Sequence, residues 1–390
     1  MKKTMKRLWL AAVLTLCAGT TASAYDLTVA ESDHGTVSFS VGGTAVTTAE
    51  AGEVVTITVT PGKDYGVESV TASAYTTWAQ ARSRRRAPGM LKDITLTGSG
   101  TDWTFTMPEA HVEVSVAYRL TCMQYEVNAE ESESGKDVEG VTLTMTVGDD
   151  EAGSVTIDNI VVPAGLSGVP LTIHIPATVA GHPVTAIAAN AVPAGSNVTG
   201  IYLPDTEKPL TIGDSALPAT ATIHTPLALL DDYALMASLR ANFEAVEVMS
   251  TVEPKNNSWT LSCGVDVVLP DGLQPYIVYT DGEAIRSMPV GSDQLVLAGG
   301  RRGIKANNGV LLVGEAGKRF DLMASPGRQQ SGTVPATTDA KSYAGNQLEP
   351  VIERRNYAAG SYLVLKDNQF HSIKANASKV KACRAVLRVR

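Results

Sequence analysis

The sequence predicts a mainly β protein composed of three modules. Runs of alternating apolar and polar residues recur along the chain, such as VSFSV, VVTITVT and WTFTM, and this period-two alternation is typical of half-buried strands. Val, Thr and Gly are abundant, whereas long helical patterns are scarce. In the middle of the chain, isoleucine recurs in similar settings at spacings of 11 to 14 residues, which is typical of a stacked repeat array, or solenoid.

Residues 1–24 have the three parts of a secretory signal peptide. Four basic residues stand before position 8, an apolar run covers residues 8–17, and small residues end in Ala22-Ser23-Ala24. The apolar run is shorter than the roughly 20 residues that a bilayer span needs. Leu16 precedes Cys17 where a bacterial lipobox has Gly, Ala or Ser, which argues against a lipoprotein. We therefore expect cleavage after Ala24 and export to the periplasm, the cell surface or the medium.

The first module, residues 25–120, consists of short strand patterns. Its frame contains HGTVSFS, AGEVVTITVTPGKDYGVESV and WTFTMPEAHVEVSVAY. This frame resembles the divergent internalin-B-type repeat, and the F-T-M-P step before an alternating strand is its most specific part. The resemblance implies a small β-grasp-like module that serves as a spacer or contact domain on bacterial surface proteins.

The second module, residues 121–250, contains the repeat. Its anchors follow one another at 14, 14, 11 and 11 residues: Ile173, Ile187, Ile201, Ile212 and Ile223. The phrases IPATVAGHPVTAI, IYLPDT and IGDSAL resemble the BspA-like leucine-rich repeats of surface proteins from Bacteroidetes and related bacteria. Because the array is short, we expect the flanking modules to cap it. Residues 227–246 have helical spacing, with Leu235, Leu239 and Phe243 on one face, and predict a terminal helix.

The third module, residues 251–390, returns to strand patterns. It begins with W-T-x-x-C, centres on NNGVLLVGEAG and predicts a hairpin at Asp367-Asn368 in SYLVLKDNQFHSI. These features resemble the β-rich C-terminal module that often follows such repeats in exported Bacteroidetes proteins. That module has no assigned chemistry, so the resemblance implies no site residues here. We expect a β-sandwich or barrel-like module.

Three cysteines remain after signal cleavage, namely Cys122, Cys263 and Cys383. None has C-x-x-C spacing, which excludes a zinc ribbon and a thioredoxin-like motif. Cys263 and Cys383 fall on the apolar faces of the first and last predicted strands of the third module. If those strands pair, a disulfide would close a loop of about 120 residues and stabilise the fold by roughly 4–5 kcal/mol in the chain-entropy model.

Charge and motifs argue against most catalysis. The formal net charge is −8 and becomes −12 without the four basic residues of the signal. Residues 121–250 carry 17 acids and 3 bases, whereas residues 251–390 carry 12 acids and 18 bases. There is no basic aromatic stripe, so we expect no nucleic acid partner. G-x-S-x-G, H-E-x-x-H and G-x-G-x-x-G are absent, and the six histidines lack metal-ligand spacing, so we expect no enzyme and no cofactor.

The repeat also predicts a contact surface. On a strand, the residue after each anchoring isoleucine points away from it, which places His174, Ala188, Tyr202, Gly213 and His224 in one exposed column. Tyrosine is enriched at interfaces, and His174, Tyr202 and His224 are the candidate contact residues. The prediction is an exported non-catalytic protein that binds a host or bacterial surface protein or glycan, as in adhesion. A structural or accessory envelope component and a glycan hydrolase with an undetected carboxylate pair are the open alternatives.

Overall fold

The computed structural model describes residues 23–76, 89–193, 195–218, 220–240, 247–324, 343–354, 356–358, 360–373 and 380–388. The predicted signal peptide lies outside these residues except for its last two. The chain is mainly β, as predicted. It divides into two compact units, with residues up to Thr121 in unit 1 and residues from Cys122 onward in unit 2.

Ten strands of unit 1 are described: β1 (Ala24–Val29), β2 (Gly35–Val41), β3 (Thr44–Val46), β4 (Thr48–Glu50), β5 (Val54–Pro61), β6 (Tyr65–Thr76), β7 (Gly89–Ile94), β8 (Thr97–Ser99), β9 (Asp102–Thr106) and β10 (His111–Leu120). They form two five-stranded sheets, ordered β4-β1-β10-β6-β7 and β3-β2-β5-β9-β8. β1 and β10 are parallel, and the other neighbouring strands are antiparallel.

The two sheets of unit 1 share one apolar core. Val55 and Ile57 of β5 are fully buried in the same cluster as Val112 and Val114 of β10. Each strand has one apolar face because its side chains alternate, and two such sheets bury those faces against each other. The described residues of unit 1 are organised as these two sheets, and the small β-grasp-like module that the resemblance implies stays a prediction.

Twelve strands are described in the first part of unit 2: β11 (Cys122–Glu126), β12 (Ala129–Glu131), β13 (Asp137–Val138), β14 (Thr142–Val147), β15 (Val155–Val161), β16 (Leu171–His174), β17 (Thr178–Val179), β18 (His182–Ile187), β19 (Val198–Tyr202), β20 (Thr211–Ile212), β21 (Thr222–His224) and β22 (Glu247–Val252). The helices described there are two 3-10 turns and two short α-helices: Ala164–Leu166, Leu227–Leu229, α1 (Leu230–Leu235) and α2 (Ala237–Arg240).

Among the described residues of the second part of unit 2 there are eleven strands: β23 (Ser258–Leu261), β24 (Val267–Val268), β25 (Gln274–Asp281), β26 (Ala284–Pro289), β27 (Gly303–Ile304), β28 (Val310–Val313), β29 (Phe320–Ala324), β30 (Leu348–Val351), β31 (Tyr362–Lys366), β32 (Gln369–Ser372) and β33 (Arg384–Arg388). Two 3-10 turns, Ser292–Leu295 and Ala298–Gly300, lie between β26 and β27.

The isoleucine anchors form two stacks of parallel strands. β16, β19, β21 and β22 are successive parallel neighbours in a nine-stranded sheet, ordered β13-β12-β16-β19-β21-β22-β29-β24-β27. β15, β18 and β20 are parallel neighbours in a second sheet that also contains β11, β14 and β17. Alternate anchors therefore lie in different sheets. Each spacing of 14 or 11 residues is therefore the step from one sheet to the other, and two such steps return the chain to the same sheet. On the nine-stranded sheet, Ile173 pairs in register with Ile201, and Ile201 pairs with Ile223.

The predicted terminal helix is present but broken. α1 ends at Leu235, and Met236 has an extended backbone with ψ at 127° before α2 begins. The buried face of α1 carries Leu230, Tyr233 and Ala234 rather than Leu235. Phe243, the third residue of the predicted face, lies outside the described residues. The sequence does not reveal this break because Leu, Ala, Met and Arg are all good helix formers.

The repeat and the C-terminal strands share a sheet. β22 pairs in parallel with β21 on one side and antiparallel with β29 on the other. The predicted boundary at residues 250/251 therefore lies inside a strand, whereas the predicted boundary at 120/121 lies one residue from the division between the units.

Two further sheets complete unit 2, with orders β23-β28-β25-β26 and β30-β33-β31-β32. Val278 of the first sheet and Leu387 of the second are fully buried in a common cluster. The predicted hairpin at Asp367-Asn368 is confirmed, since both residues have positive φ and they join β31 to β32.

Candidate contact surface

Three predicted side chains, His174, Tyr202 and His224, lie side by side on the nine-stranded sheet. The ring centroids of His174 and Tyr202 are 4.6 Å apart, and those of Tyr202 and His224 are 4.3 Å apart. The interplanar angles are 2° and 13°, so the three rings form one stack. Neighbouring strands lie about 4.7–4.9 Å apart, which is close to the distance at which flat rings stack. We name these three residues the aromatic ladder.

The local sequence explains why the aromatic ladder faces outward. Ile173, Ile201 and Ile223 are 0% exposed, and successive strand side chains point to opposite faces. The next residue of each strand must therefore leave the core. The register continues past the ladder, because the amide of Ile175 donates to the Tyr202 carbonyl at 2.8 Å and that of Leu203 to the His224 carbonyl at 2.8 Å.

Two members of the predicted five-residue column do not belong to the aromatic ladder. Ala188 and Gly213 follow anchors of the second sheet, where the Ala188 amide donates to Ile157 and the Gly213 amide donates to Ile187. A Cβ at Gly213 would lie 2.4 Å from the backbone nitrogen of Ala189. The column prediction was wrong for these two residues because a turn of the chain crosses two sheets, and the isoleucine spacing alone does not show this.

Charged side chains flank the aromatic ladder on both sides. Glu130 Oε1 of β12 lies 3.5 Å from His174 Nε2. On the other side, Arg319 Nη2 donates to the Tyr202 hydroxyl at 3.1 Å and to Thr251 Oγ1 at 3.4 Å. Arg319 Nε also lies 3.6 Å from Asp321 Oδ1. The Tyr202 hydrogen bond is the largest of the effects that raise the pKa of the Arg319 guanidinium.

The flanking residues were not predicted from the sequence. Arg319 is 117 residues from Tyr202 in the chain, and it falls in a different predicted module. No local pattern marks it, because its position depends on the pairing of β22 with β29.

Burial favours the neutral form of His224. Desolvation is the largest cause that lowers its pKa from 6.5, and the positive charges of Arg319 and His174 lower it further, while Asp321 and Glu130 oppose this. The Nδ1 atom of His224 is buried and neither accepts nor donates a hydrogen bond within the described part of the chain. The centre of this surface is therefore aromatic, with the Glu130 carboxylate beside His174 and the Arg319 guanidinium beside Tyr202.

An acidic groove adjoins the aromatic ladder. Its volume is about 660 Å³, and its lining includes His174 with four carboxylates, those of Glu126, Glu130, Asp137 and Glu139. Part of the strong negative charge of residues 121–250 is therefore concentrated beside His174.

The structure also brings Cys263 and Cys383 together. Cys263 is 3% exposed and Cys383 is 0% exposed, and both are thiols. Cys263 follows β23 and Cys383 precedes β33, and the Ala385 amide donates to Thr260 Oγ1 at 3.2 Å between these segments. The disulfide between the two cysteines stays a prediction. Their common neighbour, Asp231 of α1, was not predicted from the sequence.

Comparison of this chain with models of protein families, with curated proteins and with solved structures found no match. In the part of the chain that the structure describes, no helix has the length and apolar character needed to cross a membrane.

Proposed function

We propose that this chain is an exported, non-catalytic protein that binds another protein at the bacterial surface through the aromatic ladder. The observation that carries this proposal is the in-register stack of His174, Tyr202 and His224, which points away from the core between Glu130 and Arg319. Tyr and Arg are enriched at protein interfaces, and flat, rigid side chains lose little conformational entropy on binding.

The ring geometry favours a protein over a glycan as the partner. Both faces of Tyr202 are covered, one by His174 and one by His224, so the ladder presents ring edges and the tyrosine hydroxyl. A sugar ring that packs its C–H face on an aromatic side chain needs an open ring face, and Tyr202 offers none. The ring edges of the ladder lie between the acidic Glu130 and the basic Arg319. Such a surface suits a protein partner that carries both apolar and charged side chains and places a basic group opposite Glu130.

Export and the repeat type are part of the same proposal. The pattern of residues 1–24 supports a cleaved signal. The two stacks of parallel strands support a leucine-rich-repeat solenoid, and the resemblance to BspA-like repeats supports a role in adhesion. The alternative of an accessory envelope component predicts that the aromatic ladder has no binding partner.

A binding screen tests the proposal. The chain from residue 25 onward is applied to arrays of purified extracellular host proteins, bacterial surface proteins and glycans. We expect a protein ligand whose affinity falls at least about tenfold, equivalent to about 1.4 kcal/mol, when His174, Tyr202 and His224 are all replaced by Ala. Tyr125→Ala is the matched control, because Tyr125 is 41% exposed and lies on β11 of the other sheet.

The same screen separates the alternatives. Protein binding that survives the triple replacement would contradict the contact role of the ladder, provided that circular dichroism shows a folded variant. Hydrolysis of an arrayed glycan would favour the hydrolase alternative, for which the acidic groove is the candidate site, and loss of that activity in Glu130→Gln would locate it.

A further inference from the structure

We propose that Asp231, Cys263 and Cys383 form a buried metal site that binds zinc. Their side chains offer one carboxylate oxygen and two sulfurs, and these three atoms lie within 4.8 Å of one another. The site is separate from the aromatic ladder, so this inference does not depend on the proposed function.

The three residues come from separate segments that other contacts hold in place. Asp231 belongs to α1, and its Oδ2 accepts a hydrogen bond from the Gly264 amide at 2.6 Å, next to Cys263. The Val351 amide donates to Ser262 Oγ at 3.0 Å, and this hydroxyl donates to the Arg384 carbonyl, next to Cys383. The ligand atoms are therefore positioned largely by bonds between their neighbours, as a preorganised site requires.

The residue types suit zinc. Thiolate sulfur binds Zn²⁺ at about 2.3 Å and carboxylate oxygen at about 2.0–2.2 Å. Two sulfurs with one oxygen select a borderline-soft ion over the hard ions Ca²⁺ and Mg²⁺, which prefer oxygen. Three protein ligands leave one position for water, as at other three-ligand zinc sites.

The unpaired carboxylate oxygen is the observation that points to a cation. Asp231 is 6% exposed, and its Oδ1 has no hydrogen-bond partner of acceptable geometry among the described residues. A buried carboxylate oxygen without a partner is costly, and only Oδ2 of this group accepts the bond from the Gly264 amide. A disulfide would use both sulfurs and leave Oδ1 without a partner, whereas a metal ion uses all three side chains.

The proton balance follows from the protonated site. Each thiol loses one proton when its sulfur bonds to Zn²⁺, and the carboxyl group loses one if it is protonated. Binding of one Zn²⁺ therefore forms three bonds, releases two or three protons and leaves the site with a net charge of −1. No oxidant or reductant takes part.

Metal titration of the reduced full-length mature chain tests the site. After chelation and removal of the chelator, Co²⁺ and Zn²⁺ are added separately. We expect about one equivalent to bind, a thiolate-to-cobalt charge-transfer band with Co²⁺, and a Tm raised by about 5 °C or more with excess Zn²⁺. Asp231→Asn and Cys383→Ser are expected to weaken Zn²⁺ binding more than about 100-fold, beyond the effect of losing an outer-shell partner.

Cys122→Ser is the control, because Cys122 lies on β11 outside the cluster, and it should bind Zn²⁺ as the unsubstituted chain does. Absence of a charge-transfer band and of bound Zn²⁺ in the unsubstituted chain would overturn the proposal without recourse to any variant. Recovery of a Cys263–Cys383 disulfide by non-reducing peptide mapping of the exported protein, together with no Zn²⁺ binding after reduction, would assign the pair to a disulfide instead.

Discussion

At the scale of single residues, the packing of His224 affects its pKa. Its ring stacks on Tyr202, and its buried Nδ1 has no hydrogen-bond partner in the described part of the chain. Burial therefore favours the neutral imidazole, and Arg319, Asp321, His174 and Glu130 also act on its pKa. Protonation places a charge in this stack, so acidification acts on the contact surface directly.

We predict that His224 makes the protein less stable in mild acid. Because its pKa in the folded chain is lowered from 6.5, the unfolded chain binds a proton first as the pH falls. The stability is fully present above the ordinary pKa and declines as the pH falls through it toward the lowered value. Thermal denaturation at about pH 7.5 and at about pH 5.5 measures how far the Tm falls on acidification. We expect this fall to be smaller for His224→Gln than for the unsubstituted chain.

His371→Gln is the matched control for this measurement, because His371 is exposed on β32. It should retain the pH dependence of the unsubstituted chain. An unchanged pH dependence in His224→Gln would show that another group causes the acid sensitivity.

At the scale of elements, the two stacks of strands require close backbone approach. A Cβ at Gly200 would meet Thr172 Oγ1 at 2.6 Å, which is a side-chain contact. The three atoms nearest to a Cβ at Gly213 would be backbone atoms of Ala188 and Ala189, at 2.4 to 2.9 Å. Side chains can rotate away from such a contact, but paired backbone cannot. The turn after β20 therefore depends on the absence of a side chain at residue 213.

We predict that Gly213→Ala destabilises the chain by about 1–3 kcal/mol, the usual cost of overpacking. Denaturant unfolding of unit 2 measures the change. Gly165→Ala is the control, since a Cβ at Gly165 would have nothing within 4 Å, and its effect should be small. Equal stability of the two variants would mean that the strands shift apart to accept the methyl group.

At the scale of the whole molecule, the shared sheet unites the repeat with the C-terminal strands. The surplus of acids in residues 121–250 and of bases in residues 251–390 indicates separate modules when the sequence is considered alone. In the structure both segments belong to one compact unit, and Arg354 Nη1 lies 3.3 Å from Glu207 Oε1. Part of the charge asymmetry is therefore complementary charge within unit 2.

We predict that the repeat does not fold without the C-terminal strands. A fragment of residues 122–252 loses the pairing of β22 with β29 and the hydrogen bond from Gly264 to Asp231 of α1. It should show no cooperative thermal transition, whereas residues 122–390 should melt cooperatively. Residues 25–121 are the control, because they contain a core of their own. A cooperative transition of the 122–252 fragment at the temperature of 122–390 would contradict this prediction.

The residue order alone predicts the mainly β class, the buried isoleucines and the outward direction of His174, Tyr202 and His224. These properties depend on the alternation of side chains along a strand, which is local and visible in the residue order. The hairpin at Asp367-Asn368 is local in the same sense.

Contacts between residues that are distant in the chain follow from the three-dimensional fold. It separated Ala188 and Gly213 from the aromatic ladder, brought Arg319 to Tyr202, and joined Asp231 to Cys263 and Cys383. Each of these contacts depends on which strands pair and which segments pack together. Strand pairing is set by burial over the whole unit rather than by neighbours in the sequence, so no local pattern contains it.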